Sequence, residues 1–418
     1  MQKLNMIAGE RVYMEEHHQR KIQAVFRRSG PEYKKSHILS PEQEKALWNI
    51  SCCGTSDMGL SVCRCDACGS YSCHYLSCRD RNCPGCGGLD NVIWEDKAHS
   101  YMITSTYYHC TFTIPSELRD LYKSNKKLLY DLLHKCSSST LLEMYASRNN
   151  GAQPGIIQAF QSWGSDLKYH PHVHCIISAT GLSKDRRSLA VPKDFFLPAK
   201  AVADLFRGKM LSQLGTYFES NKLRFAFCKK LEQPENWYGL IHKLYEKDWN
   251  FNIKETYNGN GNALDYIGRY INRIAITDAR VESIEDGMIT FRYKDYKNDG
   301  NIDSMTLSDE EFISRFMEHV LPKGFQKVRY YGYLNNRYRN ENLEIIAELQ
   351  DREKQAPKYA GMNKLEILEK HYNKDPFRCP HCHESTLSSA KQIPAEELKA
   401  HLIMQRIRPR HSMMPRTA

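Results

Sequence analysis

The stretch Tyr169-His170-Pro171-His172-Val173-His174-Cys175-Ile176-Ile177-Ser178 decides how the rest of this chain is read. Side chains alternate along a β-strand. His172 and His174 then share one face, while Val173 and Cys175 turn to the other and can pack into a core. Two imidazoles held on one face of a rigid strand can bind a divalent metal in a cleft. A lone histidine on a strand is more often structural. Three at alternate positions ahead of an apolar run point to metal. His170 is a candidate third ligand, although Pro171 can twist it away. Gln158 and Gln161 on the preceding strand are the alternatives.

The surroundings of this strand set the fold class. Tyr107 to Ile114 is β-branched and aromatic and reads as a strand, and Ile156 to Trp163 reads as a strand joined by a turn to the histidine strand. Pro115-Ser116-Glu117 opens a helical stretch, and Leu128 to Tyr145 keeps helical periodicity. Helical segments follow at about 199–219 and 235–247, then a strand from Trp249 to Thr256. Ile284 to Tyr296 reads as a hairpin turning at Asp286-Gly287. Ser308 to Val320 reads as a helix opened by Ser-Asp-Glu-Glu. Nearer the N-terminus, Ser40-Pro41 supplies an N-cap and first-turn proline for a helix through Ile50. Strands, then helices, then strands imply an α+β architecture rather than a doubly wound one.

Asn262 to Arg273 reads as a capped helix carrying Tyr266 and Tyr270. At i, i+4 the two phenols share a face. Ile267, Ile271 and Ile274 lie on the other side, and Arg269 and Arg273 are suited to bidentate phosphate contacts. A phenol is a poor nucleophile at its ordinary pKa of about 10. A metal that polarises a phosphate makes its attack feasible. In isolation such a pair is more often an aromatic core stripe; beside a histidine strand it reads as a pair of nucleophiles.

Fifteen cysteines are present, and seven of them lie between Cys63 and Cys86. An odd total without a signal-peptide pattern favours a reducing compartment, the cytoplasm, and thiolate metal ligands over disulfides. Cys65-x2-Cys68 and Cys83-x2-Cys86 are two chelating turns that together would complete a tetrahedral zinc shell. Cys78 complicates the assignment, since five or more thiols could compete for one ion or serve two. Cys379 and Cys382 make half of another site, with His381 and His383 as possible companions. Expected boundaries are a helical and zinc-binding region at 1–100, a region at 101–335 that carries the histidine strand and the tyrosine pair, and a basic region at 336–418.

Composition narrows the partners. Hydrophobic residues make up 41% and charged residues 26%, an ordinary globular balance. No apolar run reaches the roughly 18 residues that a membrane helix requires. The net charge is +10, from 59 basic and 49 acidic side chains. Most of the excess falls in residues 321–418, which makes a polyanion such as nucleic acid plausible there. Arg329-Tyr-Tyr-Gly-Tyr-Leu-Asn-Asn-Arg337-Tyr-Arg339 interleaves cations with aromatics. That suits single-strand contacts, with Arg329 and Arg337 on phosphate, or equally a half-buried strand.

The ordered motifs resemble a known family. His172-Val173-His174 matches the HUH motif (His, bulky hydrophobe, His), and Tyr266-x3-Tyr270 resembles the paired tyrosines of two-tyrosine HUH transposases. Ser77-Cys-Arg-Asp-Arg-Asn-Cys-Pro-Gly-Cys86 is similar to the N-terminal zinc-binding domain of the insertion-sequence ninety-one family. Gln161-Ser-Trp-Gly164, Phe291-Arg-Tyr-Lys-Asp-Tyr296 and His319-Val-Leu-Pro-Lys-Gly-Phe325 are similar to it too. The resemblance covers about residues 20–335. It implies a ferredoxin-like HUH nuclease core preceded by a small zinc-binding domain. It implies a Mg or Mn ion held by His172 and His174, and Tyr266 and Tyr270 as nucleophiles forming 5′-phosphotyrosine links. The implied substrate is single-stranded DNA at transposon ends and target, without membrane association. A rolling-circle initiator or relaxase shares that chemistry without this cysteine cluster. A non-catalytic zinc-dependent DNA-binding regulator would explain the cysteines but not the tyrosine pair.

Overall fold

The structure, a computed structural model, describes residues 12–14, 20–192, 197–256, 274–296 and 298–398. The first part of the chain contains β1 (Val12–Met14), α1 (Lys21–Ser36), α2 (Pro41–Cys52), β2 (Leu60–Cys65), β3 (Tyr71–Tyr75) and α3 (Gly88–His99). The middle contains β4 (Tyr107–Thr113), α4 (Arg119–Ser124), α5 (Lys126–Arg148), β5 (Gln153–Trp163), β6 (Tyr169–Leu182), β7 (Leu189–Ala190), α6 (Ala199–Glu219), α7 (Pro234–Glu246) and β8 (Phe251–Thr256). The last part contains β9 (Val281–Glu285), β10 (Met288–Asp295), β11 (Asn301–Ser308), α8 (Asp309–Glu318), β12 (Val328–Gly332), α9 (Arg339–Leu349), α10 (Lys364–Tyr372) and β13 (Leu387–Ile393). The protein is α+β, with sheets that are antiparallel except for the β1–β3 pair, and helices following a cysteine-rich N-terminal region. No helix among the described residues is long and apolar enough to cross a membrane.

The central sheet has the order β12-β5-β6-β4-β8, with β7 added to β6, and every neighbour is antiparallel. The histidine strand β6 is therefore interior, flanked by β5 and β4. Its two faces have different tasks. Phe112, Phe160, Val173, Cys175 and Ile177 face a large core completed by Leu129 and Leu133 of α5, Phe206 and Met210 of α6, and Trp237 of α7. Truncating one of these buried phenylalanines to alanine costs about 3–5 kcal/mol. Ile157, Ala159 and Ile176 point the other way, beneath Tyr101–Ile103 and Leu343 and Ile346 of α9. That second cover stops short of the histidines, so one end of this face serves the site instead of the core.

A second core crosses the expected domain boundaries. Ile22, Val25 and Phe26 of α1 and Leu47 and Ile50 of α2 pack with Phe291, Phe312, Phe316 and Met317. Polar ties reinforce the contact. Asp278 Oδ1 accepts the Ile22 N–H at 2.9 Å, capping α1 from the far side of the sequence. The buried Asp309 carboxylate takes a two-pronged ion pair from Arg28, at 2.8 and 2.9 Å. The N-terminal helices are thus fastened to the β9-β10-β11 sheet and α8.

Local sequence rules operate as expected at several points. Ser40 and Gln43 form a reciprocal capping box at the start of α2. Asp286 and Gly287 both adopt positive φ, 48° and 76°, which is the turn that a two-residue hairpin requires between β9 and β10. β11, which extends that hairpin to three strands, and β13 lie outside the sequence reading. β13 is the more consequential. It returns from the C-terminal region to pair with β2, giving a four-stranded sheet of order β1-β3-β2-β13.

Candidate nuclease site and cysteine clusters

Strand register puts the site together. In an antiparallel pair, directly opposed residues share a face. Gln161 of β5 lies opposite His172, and Ala159 opposite His174. On the other flank, Thr113 opposes His172 and Thr111 opposes His174. His172 Nε2 and His174 Nε2 converge to 3.1 Å. His172 Nδ1 lies 2.6 Å from the His170 carbonyl oxygen. A carbonyl can only accept, so that nitrogen carries the proton and Nε2 of the neutral ring keeps its lone pair. His174 Nδ1 sits 2.9 Å from His109 Nε2 and 3.3 Å from Thr111 Oγ1. When His174 Nδ1 donates to His109, two bare Nε2 lone pairs face each other, an arrangement that a shared cation satisfies.

Burial keeps these rings neutral. Desolvation lowers His172 to about 4 and His109 to about 4, and it pulls His174 well below the ordinary imidazole value. A neutral imidazole is the form that binds metal. The three candidate third ligands separate clearly. Gln158 points into the opposite layer, against His134 and Ser137. His170 is half-buried and its Nδ1 is engaged by Arg119 Nη2 at 3.1 Å. Gln161, buried, shares the face of the histidine pair. His109 escaped the sequence reading. Its signal was its place on a β-rich run destined to pair with the histidine strand.

Tyr266, Tyr270, Arg269 and Arg273 lie outside the described residues. The flanking chain is described. Thr256, at the end of β8, pairs with Tyr107, at the end of β4 remote from the histidine pair. After the tyrosine segment, Ile274 and Ala275 line a cleft with Arg81, Trp163, His319 and Lys327. Lys327 stands 5.0 Å from the Trp163 ring centre, and burial lowers its ammonium to about 7. Arg81, on the cysteine-rich loop, donates to the carbonyls of Phe325 at 2.8 Å and Pro322 at 3.0 Å. That arginine therefore ties the cysteine-rich region to the edge of the cleft.

The two arginines expected on DNA differ. Arg329 pairs with Asp131 of α5 and stacks over Phe325. Arg337 is exposed and lies 5.1 Å from the Tyr338 ring centre. β12 is half-buried along its whole length, in line with the strand reading of the interleaved segment. Tyr330 receives the Trp94 indole N–H at 3.0 Å and stacks with Arg339.

The cysteines form two groups of four, and the grouping differs from the expected one. Cys83 and Cys86 meet Cys53 and Cys78, while Cys65 and Cys68 meet Cys379 and Cys382. Within each group all four sulfurs lie within 4.8 Å of one another. Cys65-x2-Cys68 and Cys83-x2-Cys86 therefore do not share a shell. The nearest pair along the chain is not the nearest in space. Cys53, at the C-terminal end of α2, had no C-x2-C spacing to betray it. His381 and His383 join neither group, and Cys63 and Cys73 also stay out. In the first group, Cys86 Sγ lies 3.6 Å from both Cys53 Sγ and Cys78 Sγ. The Cys78 N–H donates to Cys53 Sγ at 3.4 Å, which favours thiolate there.

The chain is similar to known proteins in two regions. Residues 155–342 match a family described as "Putative transposase", and residues 25–114 match a transposase zinc-binding domain. The chain is 35% identical over 369 residues to "Putative transposase y4qJ" of Sinorhizobium fredii, covering 87% of this chain and 93% of that one. It is 29% identical over 345 residues to the transposase for insertion sequence element IS801 of Pseudomonas savastanoi pv. phaseolicola, covering 79% of each. No solved structure matches. With the zinc-binding region, the transposase region and a relative that runs nearly the whole length all in agreement, the chain belongs to the IS91 family of transposases.

Proposed function

We propose that this transposase nicks and rejoins single-stranded DNA at insertion-sequence ends through 5′-phosphotyrosine intermediates, with Tyr266 and Tyr270 as the nucleophiles. The observation that carries the reading is the meeting of His172 Nε2 and His174 Nε2 at 3.1 Å on an interior strand. The donor chemistry fits Mg or Mn held by His172 and His174, with the Gln161 amide oxygen as third ligand. Bound there, the ion would polarise the scissile phosphate and offset its charge.

The chain's own groups do the rest. The His170 carbonyl fixes the tautomer of His172, and His109, by accepting from His174 Nδ1, would leave His174 Nε2 free for the ion. A tyrosine Oη attacks phosphorus, the bond to the 3′ oxygen breaks, and the phenolic proton is balanced by the one gained on the departing 3′-hydroxyl. The phosphotyrosine conserves the bond energy. A 3′-hydroxyl then attacks it, re-forms a phosphodiester and frees the tyrosine. Two tyrosines permit two such transfers. Arg269, Arg273 and the exposed Arg337 supply phosphate contacts. The free thiols suit a reducing cytoplasm.

Incubation with single-stranded element-end DNA and Mg or Mn tests the proposal. A denaturation-resistant protein–DNA adduct is expected, absent without the added ion and absent in the Tyr266→Phe, Tyr270→Phe double variant. An adduct that persists in the double variant overturns the nucleophiles. No wild-type adduct on a verified substrate favours a DNA-binding regulator.

A further inference from the structure

The Cys379-Pro-His-Cys382 turn lies beyond both matched regions, which end at residues 114 and 342. It nevertheless meets Cys65 and Cys68 of the β2–β3 hairpin. We propose that these four thiolates hold a second zinc ion, and that this ion clasps the C-terminal region onto the N-terminal sheet.

The distances are those of a zinc shell. With Zn–S bonds of about 2.3 Å, the edges of a thiolate tetrahedron are about 3.8 Å. Cys65 Sγ to Cys382 Sγ is 3.6 Å, and Cys68 Sγ to Cys379 Sγ is 3.8 Å. All four are free thiols.

The two turns are also built alike. The Cys65 N–H donates to the Ser70 carbonyl at 2.8 Å, and the Gly69 N–H returns to the Cys65 carbonyl at 2.9 Å. On the other side, the Cys379 N–H donates to the Glu384 carbonyl at 2.8 Å, and the His383 N–H returns to the Cys379 carbonyl at 3.0 Å. The residue after the second cysteine is left-handed in both, with φ of 70° at Gly69 and 64° at His383. Glycine adopts that conformation freely; histidine does so at a cost that a demanded turn shape explains. Polar groups also reach the sulfurs. Thr386 Oγ1 is 3.1 Å from Cys65 Sγ, Ser70 Oγ is 3.2 Å from Cys68 Sγ, and the His381 N–H donates to Cys379 Sγ at 3.4 Å. Two matched chelating turns facing each other, with a backbone N–H aimed at Cys379 Sγ and hydroxyls beside Cys65 and Cys68, make a closed four-ligand site with no open position.

Among the described residues, little else holds the sheet that the clasp closes. Its buried core is Leu60, Val62, Cys73, Ile393 and Leu398. A core of that size does not stabilise a four-stranded sheet without a staple. Tying positions this distant in sequence also removes much freedom from the unfolded chain.

Zinc content of the purified full-length protein tests the clasp, together with hydrogen exchange over residues 387–393. Two zinc ions per chain are expected, one for each cysteine group. Cys379→Ser with Cys382→Ser should lose one ion, as should Cys65→Ser with Cys68→Ser. Combining both pairs should lose no more than either alone. His381→Ala with His383→Ala should keep both. In the Cys379/Cys382 variant the β13 amides should exchange at least about tenfold faster, while β5 and β6 stay protected and report an intact nuclease core. One ion in the wild-type chain overturns the proposal. So does a full complement in the Cys379/Cys382 variant, or separate ions lost from the two pairs. Unchanged β13 exchange after loss of the ion overturns the clasp. None of these readouts depends on DNA cleavage.

Discussion

On the proposed function the cysteine groups and the histidine pair both take metal, yet they are built on opposite plans. Each cysteine group offers four sulfurs within 4.8 Å, drawn from segments that meet only when the chain folds. The histidine pair offers two nitrogens from one strand, with the remaining positions open to an amide oxygen, solvent and substrate. A closed thiolate shell has nowhere to bind a reactant and contributes folding energy. An open site on a rigid strand contributes little to folding and keeps room for chemistry. Changes in the two regions should therefore fail in different ways.

The largest effect falls on the group around Cys83. Its side chain is buried in the core shared by α1, α2 and α8, so the ion there would support the packing that joins the N-terminal helices to the β9-β10-β11 sheet. Cys83→Ser should leave little folded protein. Loss of a structural zinc removes about 10 kcal/mol or more, which is comparable to the stability of a whole domain. Thermal unfolding and soluble yield measure this. A Cys83→Ser protein that melts as the wild type does would remove the structural role.

His174→Ala should behave in the reverse manner. Melting temperature and zinc content should stay near wild type, while adduct formation falls by more than about 100-fold. His109→Ala, which removes one partner of His174 Nδ1 and no ligand, should weaken Mg or Mn binding by about 10–100-fold. Metal titration of cleavage rate separates the two variants, because excess ion should restore His109→Ala and leave His174→Ala inactive. A His174→Ala protein that unfolds instead would move the histidines to the structural side of the comparison.

Acid sharpens the contrast further. His134 and His319 are buried away from the proposed metal, and desolvation lowers each to about 3. In the unfolded chain both titrate near 6.5, so between about pH 6.5 and 3 the unfolded state binds more protons than the folded one. Stability should fall steadily as pH drops through that window, with no contribution from these two rings above it. His172, at about 4, remains a neutral ligand over most of the same range. Cleavage by still-folded protein should therefore not follow an ordinary imidazole titration. Melting curves and single-turnover cleavage at matched pH values measure the two trends. A cleavage profile with a midpoint near 6.5 would contradict the buried state of the histidine pair.

What could be read from the sequence follows from how far each signal reaches. The histidine strand was legible because alternation is local and Val173 and Cys175 announce the core side. The Asp286-Gly287 turn and the Ser40 cap were legible for the same reason. His109 was not, since its role depends on β4 lying beside β6. The sharing of Cys65 and Cys68 with Cys379 and Cys382 was hidden because a chelating turn carries no label for its partner, and proximity in the chain favoured Cys83 and Cys86. Cys53 has no spacing pattern at all. The pairing of β13 with β2 was hidden along with that shared site.

Arg329 and Arg337 give the smallest and most local test. Both belong to one run of alternating cations and aromatics, but the structure divides them. The Arg329 guanidinium is tied to Asp131 on α5, whereas Arg337 extends from the exposed segment after β12. Arg329→Ala removes a part-buried ion pair and packing over Phe325, so it should lower stability by roughly 1–2 kcal/mol and leave the salt dependence of DNA binding unchanged. Arg337→Ala should leave stability within about 0.5 kcal/mol. If it contacts a phosphate, the variant should bind single-stranded DNA more weakly and reduce the salt slope by about 1. Binding measured across a salt series, beside melting of each variant, decides between them. A change in salt slope for Arg329→Ala would mean that the Asp131 pair opens to admit DNA, and that the face of β12 against α5 belongs to the nucleic-acid path.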